Sequence, residues 1–90
     1  MERVRKRLVA HGRVQGVWFR DSARLQAERH GLAGWVRNRA DGAVEAELEG
    51  AATEVALVVA WFEHGPRDAR VDRLEVVDAP VNGDSGFAVL

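Results

Sequence analysis

The chain of 90 residues contains no cysteine. Disulfides and thiolate metal sites are therefore excluded. Lysine is almost missing as well: of thirteen basic residues only Lys6 is a lysine. That arginine excess reads as genome composition first and thermal adaptation second. No apolar run approaches the ~20 residues of a membrane-spanning helix. The N-terminus is charged and lacks the apolar core of a secretory signal. Charge of one sign is missing too. The formal net charge of −1 argues against a general nucleic-acid or membrane-surface binder. His11, His30 and His64 follow no metal-ligand spacing, and no His–carboxylate pair stands at a recognisable spacing. No metal and no cofactor are expected. There is no internal repeat, low-complexity tract or dividing linker. The expectation is one domain over residues 1–90, soluble, cytoplasmic and monomeric, with no nucleic-acid or membrane partner.

What is present suffices for a core. The apolar fraction is 47%, which argues against disorder. A domain of this size buries roughly 60–65% of its unfolded surface, so a single core of modest stability is expected. A first strand is expected near Val4 to Gly12, with Val4, Leu8 and Ala10 on one face and Lys6 weakening the pattern. A helix is expected from Ser22 to His30, capped by Asp21 or Ser22. Ala23, Ala27 and His30 form its stripe, Leu25 and Leu32 lie beside it, and Gly31 ends it. A second strand covers about Gly34 to Arg39. Asp41-Gly42 is a hairpin signal. In the third strand Val44, Ala46 and Leu48 alternate with Glu45, Glu47 and Glu49, so one face is core and the other solvent. The second helix is expected from a Thr53 cap to about His64, with Val55, Val58, Val59 and Phe62 as its apolar stripe and Gly65-Pro66 as its stop. A fourth strand follows over roughly Arg70 to Val77, with Leu74 and Val76 inward. The loop Asn82 to Gly86 reads as flexible, and Phe87 to Leu90 as a short edge strand. The order β-α-β-β-α-β specifies an α+β, ferredoxin-like split βαβ sandwich: an antiparallel sheet with two helices on one face and a possible fifth edge strand.

Gly12-Arg13-Val14-Gln15-Gly16-Val17-Trp18-Phe19-Arg20 lies between the first strand and the first helix. Its glycines permit a tight turn in which successive N–H groups share one concavity. Such a concavity binds anions, and the following helix N-terminus adds partial positive charge. Arg20 offers a planar fork for two phosphate oxygens. The loop is not a nucleotide P-loop, because the Gly-Lys-Ser/Thr ending is absent. Other residues carry plainer readings. Trp35, Trp61 and Phe62 are expected in the core, and the three histidines at the surface or an edge. The run Arg3 to Arg7 reads as a solvated strand face that the Glu45, Glu47, Glu49 row pairs with across the sheet.

The segment GRVQGVWFR closely resembles the signature of the acylphosphatase family. Gly34-Trp35-Val36-Arg37-Asn38, then Gly42 and Val44, then Glu49-Gly50, resemble its second signature. The likeness continues through Trp61, Gly65-Pro66, Ala69, Val71 and Leu74-Glu75-Val76 to Phe87. This resemblance implies that Arg20 is the catalytic, phosphate-binding arginine and that Asn38 positions the attacking water. It implies that backbone N–H groups of Gln15, Gly16, Val17, Trp18 and Phe19 hold the phosphate. Trp18 fills a position that varies in the family among glycine and aromatics. The ending Phe87 to Leu90 lacks the polar or aromatic close often seen there. The implied activity is metal-independent hydrolysis of a small-molecule acyl phosphate, with inorganic phosphate as product and inhibitor.

Two rivals remain at this stage. One is a non-catalytic anion-binding domain, or an acylphosphatase-like domain of a larger carbamoyl-transfer maturation protein. The lack of cysteines and an end at Leu90 favour a free-standing enzyme. The other is an RNA-binding domain of the same element order. It requires aromatics on the first and third strands, and neither strand has them. The sequence shows no dedicated pocket for the acyl group.

Overall fold

A computed structural model describes residues 2–90 of the chain. Its elements run β1 (Arg3–Arg13), α1 (Phe19–Arg29), β2 (Ala33–Asn38), β3 (Val44–Ala51), α2 (Ala52–Phe62), β4 (Arg70–Ala79) and β5 (Phe87–Val89). The sheet order is β4-β1-β3-β2-β5. The first four of these strands pair antiparallel, while β5 runs parallel to β2. The expected ferredoxin-like sandwich is present, and its added edge strand makes the sheet mixed.

Alternation in β1 and β3 builds the core. Leu8 and Ala10 from β1, with Val44, Ala46 and Leu48 from β3, are fully buried. They meet Ala23 and Ala27 of α1 and Val55, Val58 and Phe62 of α2. The hairpin after β2 follows from Asp41 and Gly42. The Asp41 carboxylate accepts the Ala43 N–H at 3.0 Å, and Gly42 takes φ 91°. Phe19, Trp61 and Phe62 form an edge-to-face cluster with centroids 5.3–5.4 Å apart. Trp61 is only half-buried against the core, whereas Trp35 lies outside it under the Arg37 guanidinium, 5.7 Å from its ring centre.

Both helices start differently from expectation. Helix α1 begins at Phe19, with Trp18 as its cap in the left-handed region and no side-chain cap. The Ser22 N–H instead donates to the Trp18 carbonyl at 3.0 Å. Asp21 sits inside the first turn, where its charge complements the helix dipole. Leu25 faces solvent, while Leu32 is buried. The expected stop holds: at Gly31, φ 68°, the Leu32 N–H reaches back to the Ala27 carbonyl at 2.8 Å. Helix α2 begins at Ala52, and Thr53 is exposed rather than capping. In β4 Leu74 is half-buried as expected, but Val76 is 40% exposed.

The second face of the sheet departs most from the alternation rule. Glu45 and Glu49 are fully buried rather than solvent-facing. Arg7 and Arg37 both pair with Glu45. Glu49 accepts from Arg3 at 2.7 Å, from Arg5 at 2.9 Å, and from the N–H groups of Asn82 and Gly83 at 2.8 Å each. Asp84 reaches Arg5 at 2.9 Å. The 82–86 loop expected to be flexible is thereby tied to β1 and β3. Among the described residues, no helix is long and apolar enough to cross a membrane.

Candidate active site

The loop from Val14 to Trp18 leaves the end of β1 and turns into α1. Gly16 adopts φ 74° with open space around it. Two residues later Trp18 adopts φ 65° and ψ 23°, the one non-glycine residue with positive φ among those described. An L-residue held there costs about 1–3 kcal/mol. The surroundings fix it: Val14, Val17 and Phe19 are buried on either side. The strained turn brings Arg20 into the first helical turn, next to the free N–H groups that begin the helix.

Asn38 arrives from another element. It is the last residue of β2, held in register opposite Val44, and it is exposed. Gln15 links the two parts. Its side-chain amide donates to the Arg39 carbonyl at 2.8 Å and to the Ala43 carbonyl at 3.0 Å. The phosphate-loop candidate is thus braced against the hairpin that carries Asn38.

One cavity of about 330 Å³ gathers these parts, lined by Val14, Gly16, Trp18, Phe19, Arg20, Asp21, Asn38 and Val89. Of the candidate residues, Gly16, Trp18, Phe19, Arg20 and Asn38 border it; Gln15 and Val17 do not. Gln15 braces the loop, and the Val17 side chain is in the core. Val14, Asp21 and Val89 line it without having been assigned to the site from sequence; Val14 and Asp21 adjoin the assigned loop, whereas Val89 is remote in sequence. It comes from β5, whose parallel return beside β2 leaves no short-range turn signal.

Arg20 is half-buried and forms no salt bridge among the described residues. Its Nη1 donates to the main-chain oxygen of Leu90 at 3.1 Å. Leu90 is held in turn by its N–H to the Val36 carbonyl at 2.9 Å. The guanidinium is therefore aimed by a main-chain oxygen and is paired with no side-chain carboxylate among the described residues. A cation, a helix N-terminus and an exposed amide around one cavity suit a phosphoryl group and a water. Among the described residues no group of three or more His, Asp or Glu could hold a metal.

Comparison with known proteins shows the family. A family profile described as Acylphosphatase matches residues 6–89. An acylphosphatase from Rubrobacter xylanophilus is 52% identical over 86 residues, covering 94% of this chain and 78% of that protein. An acylphosphatase from Thermococcus kodakarensis is 47% identical over 90 residues, covering 100% of this chain and 99% of its own length. The solved structure of an acylphosphatase from Coxiella burnetii superposes with a TM-score of 0.94 at 33% identity, covering 98% of this chain and 93% of that one.

Proposed function

Since the chain belongs to the acylphosphatase family and is a hydrolase of acyl phosphates, we propose how its residues divide the work. Arg20 and the N–H groups of the loop from Gln15 to Phe19 hold the phosphoryl group. Asn38 orients the attacking water. The observation that carries this assignment is the meeting of Gly16 and Arg20, from the loop that runs into α1, with Asn38, from the end of β2, around one cavity.

The chemistry asks little more. The leaving group is a carboxylate whose conjugate acid has a pKa of about 4–5, near that of an Asp or Glu side chain. It departs without protonation. The water oxygen bonds to phosphorus as the phosphorus–acyl oxygen bond breaks, and the bonding pair leaves on the carboxylate. The Asn38 carbonyl oxygen accepts one hydrogen bond from the water and sets its line of attack. The water's proton passes to a phosphoryl oxygen, so no side-chain base is required. Charge on the equatorial oxygens meets the Arg20 fork and preorganised N–H dipoles. The products are a carboxylate and inorganic phosphate, and phosphate inhibits by occupying the same cradle. A one-domain monomer is the proposed working unit.

The test is hydrolysis of acetyl phosphate by the purified chain in excess chelator, beside an alkyl phosphate monoester. Turnover of acetyl phosphate should persist in chelator. The monoester should be cleaved poorly, because its alkoxide leaving group needs a general acid. Comparable kcat/KM for the two substrates, or activity restored only by added metal, contradicts this mechanism.

A further inference from the structure

Trp18 is 76% exposed although it is the largest side chain at the cavity. It also occupies a left-handed backbone position, φ 65°, that glycine fills without strain. Exposure and strain both disfavour a tryptophan here. Neither is needed for the phosphate cradle, whose N–H groups any residue supplies. Trp18 both lines the cavity and faces solvent, on the same loop as Gly16 and two residues before Arg20. Val89, partly exposed on β5, also borders the cavity. Beyond Arg20, the sole charged lining side chain is Asp21, in the first turn of α1. A phosphoryl group at Arg20 directs its acyl substituent out of the cradle toward this rim.

We propose that Trp18 is the acyl-side platform of the site, selecting acyl phosphates whose acyl groups are uncharged and flat, aromatic or apolar. This rests on the phosphate-site assignment above and deepens it. The indole face covers a planar acyl group, and Val89 supplies a further apolar contact. Both surfaces lose water on binding, and aromatic pairs gain beyond their buried area. Asp21 disfavours acyl groups that carry a second carboxylate, because like charges repel across the rim. The left-handed position matters to the role. It projects the side chain from a turn whose backbone is already fixed by the buried Val17 and Phe19 on either side, so the platform is preorganised.

The test compares the wild-type chain with Trp18→Gly and Trp18→Phe. Glycine accepts the left-handed backbone, so Trp18→Gly is expected to fold with unchanged or raised thermal stability. Two ratios are read: kcat/KM for benzoyl phosphate over acetyl phosphate, and Ki for methylphosphonate over phenylphosphonate. In Trp18→Gly each ratio should fall about three- to tenfold, the size of one exposed aromatic contact. In Trp18→Phe most of the wild-type ratio should return. A loss of cradle geometry alone lowers both substrates together and leaves the ratios unmoved. Ratios in Trp18→Gly that stay within about twofold of wild type overturn the platform. Inorganic phosphate is the internal reference: wild-type protein that phosphate does not inhibit contradicts the cradle itself. Phosphate inhibition with no aromatic preference overturns only the role of Trp18.

Discussion

Arginines on the outer sheet face and the arginine at the cavity live under opposite conditions. Arg3, Arg5, Arg7 and Arg37 each meet a carboxylate, and the carboxylates of Glu45 and Glu49 are fully buried between them. Arg20 meets no side-chain carboxylate, only the main-chain oxygen of Leu90 and an open cavity. The first group has its charge cancelled and serves the fold. The second has no side-chain carboxylate against it and borders the cavity instead. Residue type is the same in both; the partner decides the role.

The comparison breaks most visibly where a paired charge loses its partner. Glu49→Ala removes the group that faces Arg3, Arg5 and two backbone N–H donors. Removing one partner of a buried pair costs up to about 3–5 kcal/mol, and less where, as here, Arg5 keeps Glu47 and Asp84; the total available to a chain of this size is roughly 5–14 kcal/mol. Chemical denaturation should show the loss as a lower midpoint.

Arg20 should show the reverse pattern. Arg20→Ala should retain the thermal midpoint, since no salt bridge is broken, and lose about 10²–10³ in kcat/KM. Arg20→Lys should be nearly as damaging, because lysine keeps the charge but loses the planar two-point grip. Arg20→Lys retaining more than about a tenth of wild-type activity has lost under ~1.4 kcal/mol, and the two-point role fails.

Asn38 sharpens the division within the site itself. Asn38→Ala should lower kcat about 10²-fold while Ki for phosphate changes little, the signature of a group used mainly in the transition state. A variant with normal kcat and weak phosphate binding reverses the two roles.

Acid separates the two groups of arginines more gently. Burial pushes the Glu49 carboxyl up, but the Asn82 N–H, Arg5, Arg3 and the Gly83 N–H outweigh it and hold the group at about 2, below its ordinary 4.5. A depressed folded pKa contributes stability above the unfolded value that is lost as pH falls through the folded one. Glu45 adds in the same direction, since Arg7 and Arg37 overcome its burial. The thermal midpoint should therefore fall as pH drops from about 4.5 toward 2. The gap between wild type and Glu49→Gln should narrow over the same window. A gap that stays constant contradicts the paired-carboxylate account.

The two regions also differed in how legible they were. Strand periodicity, the Asp41-Gly42 turn and the Gly31 and Gly65 stops are local signals, and each element they mark exists. The Glu45 and Glu49 burial was hidden because alternating glutamate ordinarily means water. Glu49 is covered by the opposing arginine row and the 82–86 loop, contacts made across 33–46 residues; Glu45 is covered by Arg7, 38 residues away, and by Arg37 on the neighbouring strand. The early start of α1 was hidden by Trp18, which caps the helix through its backbone where the sequence offers Asp21 and Ser22. Val89 was hidden because a parallel edge strand has no hairpin to announce it. The cavity gathers Arg20, Asn38 and half-loop contacts that the residue types had already marked, while the apolar rim emerges only in three dimensions.

The central claim is that Arg20 and the preceding loop bind the phosphoryl group. Titration of the ¹⁵N-labelled chain with inorganic phosphate, followed by amide and guanidinium NMR, tests it most directly. The predicted result is saturable shifts concentrated at residues 15–20 and the Arg20 side chain, abolished in Arg20→Ala, with the Arg3, Arg5 and Arg7 guanidinium signals unmoved. Shifts centred on the outer-face arginines, or none at the loop at concentrations up to tens of millimolar (about −2 to −3 kcal/mol of binding), would contradict it.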